Sequence, residues 1–404
     1  MARPEAVAVD PEIYWDPYDI AIDTDPHPVW RRMRDEAPLY RNDRHDFWAL
    51  SRYADVLAAS REPLIYSSAK GTVLEIMGEG QLTRPGLIIF MDPPEHNSLR
   101  ALVSKAFTPR RIAALEEQIR AICVDLLDPY VGSGGFDYVA DFGAQLPSKV
   151  ISALLGVPAA DQPHVLQVIN TTFHLDPDSG MVNDVSLGAQ VELWEYLTDQ
   201  LEQRRRTPSD DMLTALVEVE LTDDGERRKL TAEEAVAFAG LLISAGTETV
   251  ARLLGWTAIV LDQHPEQRAA LVEDPSLVPN AVEELLRYEA PSPVQGRTLT
   301  QQVELYGTAL PQGARVLLLT GSAGRDERAF PDPDRFDVRR KIDQHVSFGV
   351  GTHYCLGAAL ARLEGRVAIA ETLARFPTWQ VDHDRAVRLH TSTVRGYQHV
   401  PIAV

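Results

Sequence analysis

The chain has 404 residues, of which 45% are hydrophobic and 24% charged, a balance typical of a folded globular protein and not of a disordered one. Its 39 basic and 59 acidic residues give a net charge of −20, which disfavours nucleic acid or an anionic bilayer as the main partner. Two cysteines, Cys123 and Cys355, are too few for a secreted protein built on disulfides.

The N-terminal part of the chain is rich in proline and predicts an extended segment over residues 1–28. It has no basic stretch followed by an apolar run, so we expect no signal peptide and a cytoplasmic protein. A short helix over 28–36, a strand over 46–51 and a helix over 54–60 follow. The stretch 67–90 has no clean period, and a loop of that length is usually functional or mobile.

From residue 94 onward the hydrophobic period is helical. One helix is much longer than the average: it begins at a capping box of Thr231 and Glu234 and runs without proline to His264. Glu248 and Arg252 interrupt its apolar face, so we do not expect it to span a membrane. No linker divides the chain, and we predict one mainly α domain with small sheets over 1–404. The predicted helices lie near 95–106, 110–131, 145–155, 159–173, 186–204, 210–219, 231–262, 266–272, 278–289 and 356–375, and strand-like runs lie at 293–305, 314–320 and 386–402.

The strongest motif is the sequence FGVGTHYCLG at 348–357. Gly349 and Gly351 permit a tight loop and a close approach of the backbone. Cys355 follows at the predicted start of a helix, where the dipole and free N–H groups favour a thiolate, and a thiolate in such a loop suits a single axial metal ligand. For a lone cysteine, a buried structural role is the commoner interpretation. The lack of a C-x-x-C pair disfavours zinc.

The pattern F-G-x-G-x-H-x-C-x-G resembles the haem-binding loop of the cytochrome P-450 superfamily of haem-thiolate monooxygenases. The resemblance extends over most of the chain, from DFWALSRYADV to STVRGYQHVP. It implies a P-450 fold in which the long central helix and the cysteine loop sandwich a haem b. Cys355 would be the axial ligand of the iron, with Phe348 and Gly349 as haem-loop residues. The implied reaction inserts one atom of O2 into an organic substrate.

Other motifs of this family occur in order along the chain. Glu284 and Arg287 match its E-x-x-R, whose members share a helix face and pair. In the family a third arginine joins this pair, and the resemblance assigns that role to Arg335 in FPDPDRFD. A solvated surface pair is the alternative for a lone E-x-x-R.

The sequence AGTET at 245–249 resembles the family's A-G-x-[D/E]-T in the long helix. Gly246 would widen the helix and leave room for dioxygen beside the iron. Thr249 would hydrogen-bond iron-bound dioxygen or an associated water, and Glu248 would relay protons. Without the cysteine loop, an ordinary polar helix face would explain this sequence.

Four residues resemble the family's partners of the haem propionates. His96 and Arg100 lie four positions apart and so share a helix face, Arg297 follows the E-x-x-R segment, and His353 lies two residues before the cysteine. Cationic and N–H donors are suited to bind two carboxylates.

We expect a lipophilic substrate, because the predicted pocket is mainly apolar. Loops 67–90 and 174–186 would open and close over this ligand. The residues expected to line the pocket are Leu241, Leu242, Ala245, Thr249, Val294, Gln295, Thr393 and Val394.

Electrons would come from a small ferredoxin and its NAD(P)H-dependent reductase, since the 404 − 355 = 49 residues after Cys355 are too few for a redox domain. We expect a monomer with no nucleic-acid or membrane partner. A basic surface near the cysteine loop would steer the acidic ferredoxin. Two alternatives are a peroxide-driven peroxygenase, disfavoured by Glu248 and Thr249, and a haem-thiolate sensor without turnover. The candidate steering residues are Lys105, Arg110, Arg111, Arg339, Arg340, Lys341 and Arg362.

Overall fold

The computed structural model describes residues 13–77, 86–104, 108–174, 176, 183–223 and 226–404. Sixteen α-helices are described in this part of the chain, together with short 3₁₀ turns and one π-helical segment, Tyr138–Gly143. The helices are α1 Ile20–Thr24, α2 His27–Glu36, α3 Tyr53–Ser60, α4 Leu74–Met77, α5 Glu95–Val103, α6 Pro109–Ala113, α7 Glu116–Leu127, α8 Gln145–Leu155, α9 Gln162–Thr172, α10 Asp184–Arg206, α11 Met212–Glu218, α12 Ala232–Gln263, α13 Pro265–Glu273, α14 Val278–Tyr288, α15 Thr320–Gly324 and α16 Ala358–Arg375.

The described strands form small sheets beside the helices. The largest sheet has the order β1-β2-β10-β7-β3, in which β2 and β10 are parallel and the other neighbours antiparallel. A three-stranded sheet has the order β11-β14-β4, and three hairpins pair β5 with β6, β8 with β9, and β12 with β13. The strands are β1 Leu39–Asn42, β2 Phe47–Leu50, β3 Tyr66–Ser67, β4 Gly135–Asp137, β5 Glu220–Asp223, β6 Glu226–Lys229, β7 Gln295–Leu299, β8 Val303–Leu305, β9 Thr308–Leu310, β10 Arg315–Leu318, β11 Gln380–Val381, β12 Val387–His390, β13 Arg395–His399 and β14 Pro401–Ala403.

The long helix α12 passes through the interior. Its start confirms the predicted capping box: Thr231 Oγ1 accepts the N–H of Glu234 at 3.1 Å, and Glu234 Oε2 accepts the N–H of Thr231 at 2.9 Å. Leu253 and Ile259 lie in one apolar cluster with side chains of α14 and α16. Among the described helices, α12 alone has the length and hydropathy of a membrane span, yet 67% of that apolar window is buried inside the protein. It is therefore a core helix.

The structure confirms the mainly α architecture with small sheets, and it corrects two details. Residues 1–28 were predicted to be extended, but α1 lies within this range, and Asp19 caps it by accepting the N–H groups of Ala21 and Ile22; residues 1–12 lie outside the described part. The helix predicted over 110–131 is divided into α6 and α7. Cys123 in α7 and Cys355 are both free, so they form no disulfide.

Candidate active site

The cysteine loop is held in a tight turn directly before α16. The N–H of Cys355 donates to Phe348 O at 2.8 Å, and the N–H of Gly349 donates to Val346 O at 2.8 Å. Gly349 and Gly351 have φ of 67° and 69°, in the left-handed region that favours glycine. A Cβ on Gly351 would also lie 2.9 Å from a backbone oxygen, so the loop requires glycine there.

Opposing influences act on the pKa of the Cys355 thiol. Burial raises its pKa, while the N–H of Gly357 and the charges of Arg100 and Arg362 act to lower it, and the balance is a raised pKa. The sequence predicted that a helix start would favour the thiolate, but Cys355 lies three residues before α16 and burial outweighs the nearby donors. A metal ligand must be deprotonated, so metal binding at this sulfur would release a proton.

The predicted propionate partners converge beside this loop. The rings of His96 and His353 lie 4.4 Å apart between centroids, and His96 is only 1% exposed. Burial, together with the charges of Arg297, His96 and Arg100, lowers the pKa of His353 to about 3. Burial also lowers the pKa of Arg297 to about 10, against the opposing charge of Asp92. The four predicted residues therefore form one electropositive cluster.

This cluster fits an anionic group. His353 Nε2 is buried without a hydrogen-bond partner in the described part of the chain. Asp92, the carboxylate that acts on Arg297 and His96, already accepts bonds from the hydroxyl of Ser67 and the N–H of Ser68. Buried cations and N–H donors without a full set of acceptors suit a ligand that brings carboxylates.

The AGTET segment lies in the middle of α12 and remains α-helical throughout. Thr249 Oγ1 donates to Ala245 O at 3.1 Å, whereas Glu248 is buried and bonds Arg252 Nε at 2.9 Å. The predicted widening at Gly246 is absent from this described helix. A Cβ on Gly246 would lie 3.1 Å from Ile151 of α8, so glycine is explained here by close helix packing.

The E-x-x-R pair is fully buried and makes a two-point contact, with Arg287 Nε and Nη2 donating to Glu284 at 2.7 and 2.8 Å. The third arginine is Arg340, whose Nε donates to Glu284 Oε1 at 3.1 Å. The prediction of Arg335 is wrong: Arg335 is exposed, and its carbonyl accepts from Arg340 Nη2 at 2.7 Å. The chain turns between these arginines, which brings the later one over Glu284.

A second ionic group, unforeseen from the sequence, lies on the same side as the cysteine loop. Glu283 accepts from Arg362 at 2.6 and 2.9 Å and bonds His345 at 3.0 Å. Although burial opposes it, these partners lower the pKa of Glu283 to about 2. Arg362 also lies 4.5 Å from the centroid of the Phe348 ring and bonds the hydroxyl of Tyr354. The sequence predicted Arg362 as a surface cation that steers a partner, and Glu283 and His345 lie in no motif that could have indicated this pairing.

The predicted pocket residues come from three separate elements. Leu241, Leu242 and Ala245 lie on α12, Val294 and Gln295 lie at the start of β7, and Thr393 and Val394 lie in the turn between β12 and β13. Leu242, Val294 and Thr393 are buried, whereas Ala245 is exposed although it lies mid-way along a core helix.

The family comparison decides the identity of this site. The family model described as cytochrome P450 matches residues 65–397. The chain belongs to the cytochrome P450 family. A putative cytochrome P450 123 of Mycobacterium tuberculosis is 42% identical over 397 residues, covering 98% of both chains. The vitamin D(3) 25-hydroxylase of Pseudonocardia autotrophica is 38% identical and covers 94% of both chains.

A solved cytochrome P450 supports the same conclusion for the fold. The bacillaene polyketide synthase cytochrome P450 PksS of Bacillus subtilis superposes with a TM-score of 0.88 at 30% identity, covering 96% of this chain and 99% of that one. The protein is accordingly a P450 monooxygenase that uses a haem iron. Its residues fit that cofactor: Cys355 would supply a sulfur ligand, and the electropositive cluster would supply donors for carboxylates.

Proposed function

We propose that this P450 hydroxylates a lipophilic small molecule, using haem b and electrons from a separate ferredoxin with an NAD(P)H-dependent reductase. The carrying observation is the convergence of the loop cysteine with the electropositive cluster of His96, Arg100, Arg297 and His353. Aliphatic residues of α12, β7 and the β12–β13 turn support it. The proposal includes a monomeric cytoplasmic protein in which residues 1–404 act as a single domain.

Two features support a lipophilic substrate. The predicted pocket residues include four aliphatic ones, Leu241 and Leu242 on α12, Val294 before β7 and Val394 in the β12–β13 turn. The names of two relatives contain vitamin D(3) and a bacillaene polyketide synthase, and vitamin D(3) is an apolar molecule. Burial of apolar substrate surface would supply most of the binding free energy.

The bound haem would supply the reductive activation of dioxygen, with one oxygen atom going to the substrate and the other to water. We assign Thr249 the delivery of protons: its hydroxyl donates to Ala245 and can rotate to donate elsewhere. Glu248 would supply those protons, and Arg252 would position its carboxylate. We assign His96, Arg100, Arg297 and His353 to the two propionates.

The proposed docking surface for ferredoxin is smaller than the sequence suggested. Arg362 and Arg340 are only partly exposed and are engaged by Glu283 and Glu284, and Lys105 lies outside the described residues. Arg110, Arg111, Arg339 and Lys341 are exposed, and α6, which carries the first two, packs on α16 behind the cysteine loop. These four cations would attract an acidic partner despite the net charge.

Turnover with purified ferredoxin, reductase and NAD(P)H would test this function. We expect Thr249→Ala to lower product per NAD(P)H at least about tenfold and to release peroxide. Thr247→Ala is the matched control, because that buried hydroxyl donates to Ile243 O on another side of α12. Full product formation from peroxide alone, insensitive to Thr249, would instead indicate a peroxygenase. A haem protein with no substrate-dependent use of NAD(P)H would be a sensor.

A further inference from the structure

The loop that carries Cys355 is joined to α14 by hydrogen bonds near its start. Ser347 Oγ donates to Leu286 O at 2.6 Å. The N–H of Ser347 donates to Nδ1 of His345 at 3.2 Å, so this ring nitrogen carries no proton and the ring proton lies on Nε2. Nε2 therefore donates to the carboxylate of Glu283 at 3.0 Å. The loop thus provides Glu283 with one donor of fixed direction.

The guanidinium of Arg362 on α16 uses all three of its nitrogens. Nε and Nη2 donate to the two carboxylate oxygens of Glu283 at 2.6 and 2.9 Å, and Nη1 donates to the hydroxyl of Tyr354 at 2.9 Å. A planar fork that is bound at three points has one orientation, whereas a solvated arginine side chain has many. The charge of Arg362 is therefore fixed in position, although 30% of its side chain is exposed.

This fixed charge lies against the cysteine loop at two points. The guanidinium carbon of Arg362 is 4.5 Å from the centroid of the Phe348 ring, a distance at which the ring attracts a cation. The backbone oxygen of Phe348 accepts the N–H of Cys355 at 2.8 Å. The second contact, Tyr354, directly precedes Cys355 in the chain. Arg362 therefore contacts both ends of the turn that holds the sulfur.

The ion pair has its positive end toward the sulfur. Glu283 binds the edge of the guanidinium formed by Nε and Nη2, whereas Tyr354 binds Nη1. Among the described residues, Arg100 and Arg362 are the charged groups that act on the Cys355 thiol. Within this described part of the chain Glu283 is not one of them, so the partner of Arg362 does not cancel its charge at the sulfur. Such a dipole favours negative charge at the end of the pair where the cation lies.

We propose that Arg362, oriented by Glu283, raises the reduction potential of the haem iron. Reduction adds one electron to the iron and its thiolate ligand, and a fixed positive charge beside the ligand stabilises the added negative charge. This role differs from the steering of ferredoxin that the sequence predicted for Arg362, because it acts on the equilibrium of electron transfer and needs no partner. The inference rests on the proposed function, since it takes Cys355 as the iron ligand.

Redox titration of the haem-loaded protein with small-molecule mediators tests this effect in the absence of ferredoxin. Arg362→Leu removes the cation and leaves Glu283 unpaired, so the ratio of reduced to oxidised iron at a fixed solution potential should fall about fivefold. The double variant Glu283→Gln with Arg362→Leu removes both charges. Its ratio should fall only about twofold, because the lost dipole acts more weakly than a lost charge with an unpaired carboxylate.

Two further variants separate charge from packing. Arg362→Lys keeps the charge without the planar fork, so its ratio should lie above that of Arg362→Leu and within about twofold of the wild type. Arg375→Leu is the matched control, because Arg375 also lies on α16 and pairs with Asp128 and Glu371 at 2.6 and 2.7 Å. It lies thirteen residues after Arg362, which is about 20 Å along the helix, and its loss should leave the ratio unchanged.

An unchanged ratio in Arg362→Leu would overturn the inference, and slower reduction by ferredoxin in that same variant would make Arg362 a docking residue instead. A fall in Arg362→Lys as large as in Arg362→Leu would also overturn it, because packing and not charge would then be the cause. If Arg362→Leu does not load haem, the double variant decides, and a ratio at or above that of the wild type contradicts the inference. A wild-type protein whose reduced carbon monoxide complex lacks the strongly red-shifted Soret band would overturn Cys355 as the ligand, and with it the proposed function.

Discussion

The two sides of the haem site hold their polar groups in different ways. On the side of the cysteine loop, carboxylates are shared between cations: Glu283 binds Arg362 and His345, and Glu284 binds Arg287 and Arg340. On the side of α12, the bonds that involve the predicted substrate-facing residues are mostly single and neutral, as between the hydroxyl of Thr249 and the carbonyl of Ala245 or between Ser292 and Thr393.

This difference indicates on which side substitutions cost less unfolding free energy. Removing one partner of a buried ion pair leaves a charge in the interior and costs about 3–5 kcal/mol. Losing a neutral hydrogen bond costs about 1 kcal/mol. Substitutions within the Glu284 group should therefore threaten the fold more than substitutions at the neutral positions of the α12 side, where the buried pair of Glu248 and Arg252 is the exception.

The largest effect is expected from removal of the proposed iron ligand, Cys355. Cys355→Ala should abolish the strongly red-shifted Soret band of the reduced carbon monoxide complex, together with all turnover, because no other sulfur lies in the loop. Cys123→Ala removes the other thiol, which is buried in α7, and should keep the band. Retention of the band in Cys355→Ala would contradict the assigned ligand.

Glu364 of α16 is an exception among the carboxylates of this side, because its Oε2 has no hydrogen-bond partner in the described part of the chain. Burial raises its pKa to about 8. Glu364 lies near Cys123 of α7, whose pKa is raised to about 12 by burial and, to a lesser extent, by Glu371 and Glu364. Between pH 4.5 and 8 the unfolded chain loses this proton and the native state keeps it, so stability falls as pH rises and levels off above pH 8.

Glu364→Gln should remove that slope. The free energy of unfolding of this variant minus that of the wild type should rise from pH 5 to pH 8 by about 1.4 kcal/mol per pH unit at most. Above pH 8 the difference should stay constant. Urea unfolding of the haem-loaded proteins at several pH values would measure this difference. Glu117→Gln, at an exposed position of α7, is the control. A pH-independent difference for Glu364→Gln would mean that the carboxyl is ionised in the native state.

The choice of Arg340 over Arg335 as the third arginine at Glu284 can be tested by replacing each in turn. Arg340→Ala removes a donor from a buried carboxylate and should lower the free energy of unfolding by about 2–3 kcal/mol. Arg335→Ala removes an exposed side chain and should change it by less than about 0.5 kcal/mol. Denaturant unfolding of both variants would measure these changes. Similar losses of unfolding free energy in the two variants would contradict the choice of Arg340.

The smallest effect is expected at the proposed docking surface for ferredoxin. Arg110→Glu with Arg111→Glu should slow electron transfer from an acidic ferredoxin a few-fold at low salt, and the rate should respond less to added salt. Stopped-flow reduction would measure this rate. Charge reversal at Arg205 and Arg206, exposed at the end of α10, is the control. Unchanged kinetics in the first variant would remove α6 from the docking surface.

Long helices and local motifs could be predicted from the sequence. The start of α12 depends on residues three positions apart, Thr231 and Glu234, and the cysteine loop on ten consecutive residues. Short elements such as α4 and α15 were missed, because helices of four or five residues depend on tertiary packing and not on a hydrophobic period.

Contacts between distant parts of the chain could not be predicted. Ser392 donates to Glu75 at 2.7 Å across 317 positions, and neither residue carries a motif. Arg340 was missed for a related reason, since the choice between it and Arg335 depends on how an irregular segment turns. Arg252, by contrast, lies one helical turn after Glu248 and could have been predicted as its partner.

The contact between Gly246 and Ile151 sets the spacing of two core helices. Because Gly246 has no side chain, the side chain of Ile151 on α8 alone separates the two helices at this point. A larger side chain at either position would force the middle of α12 away from α8, and a smaller one at 151 would let the two helices approach. The position of the segment that carries Thr249 is thus adjustable by a residue of a different helix.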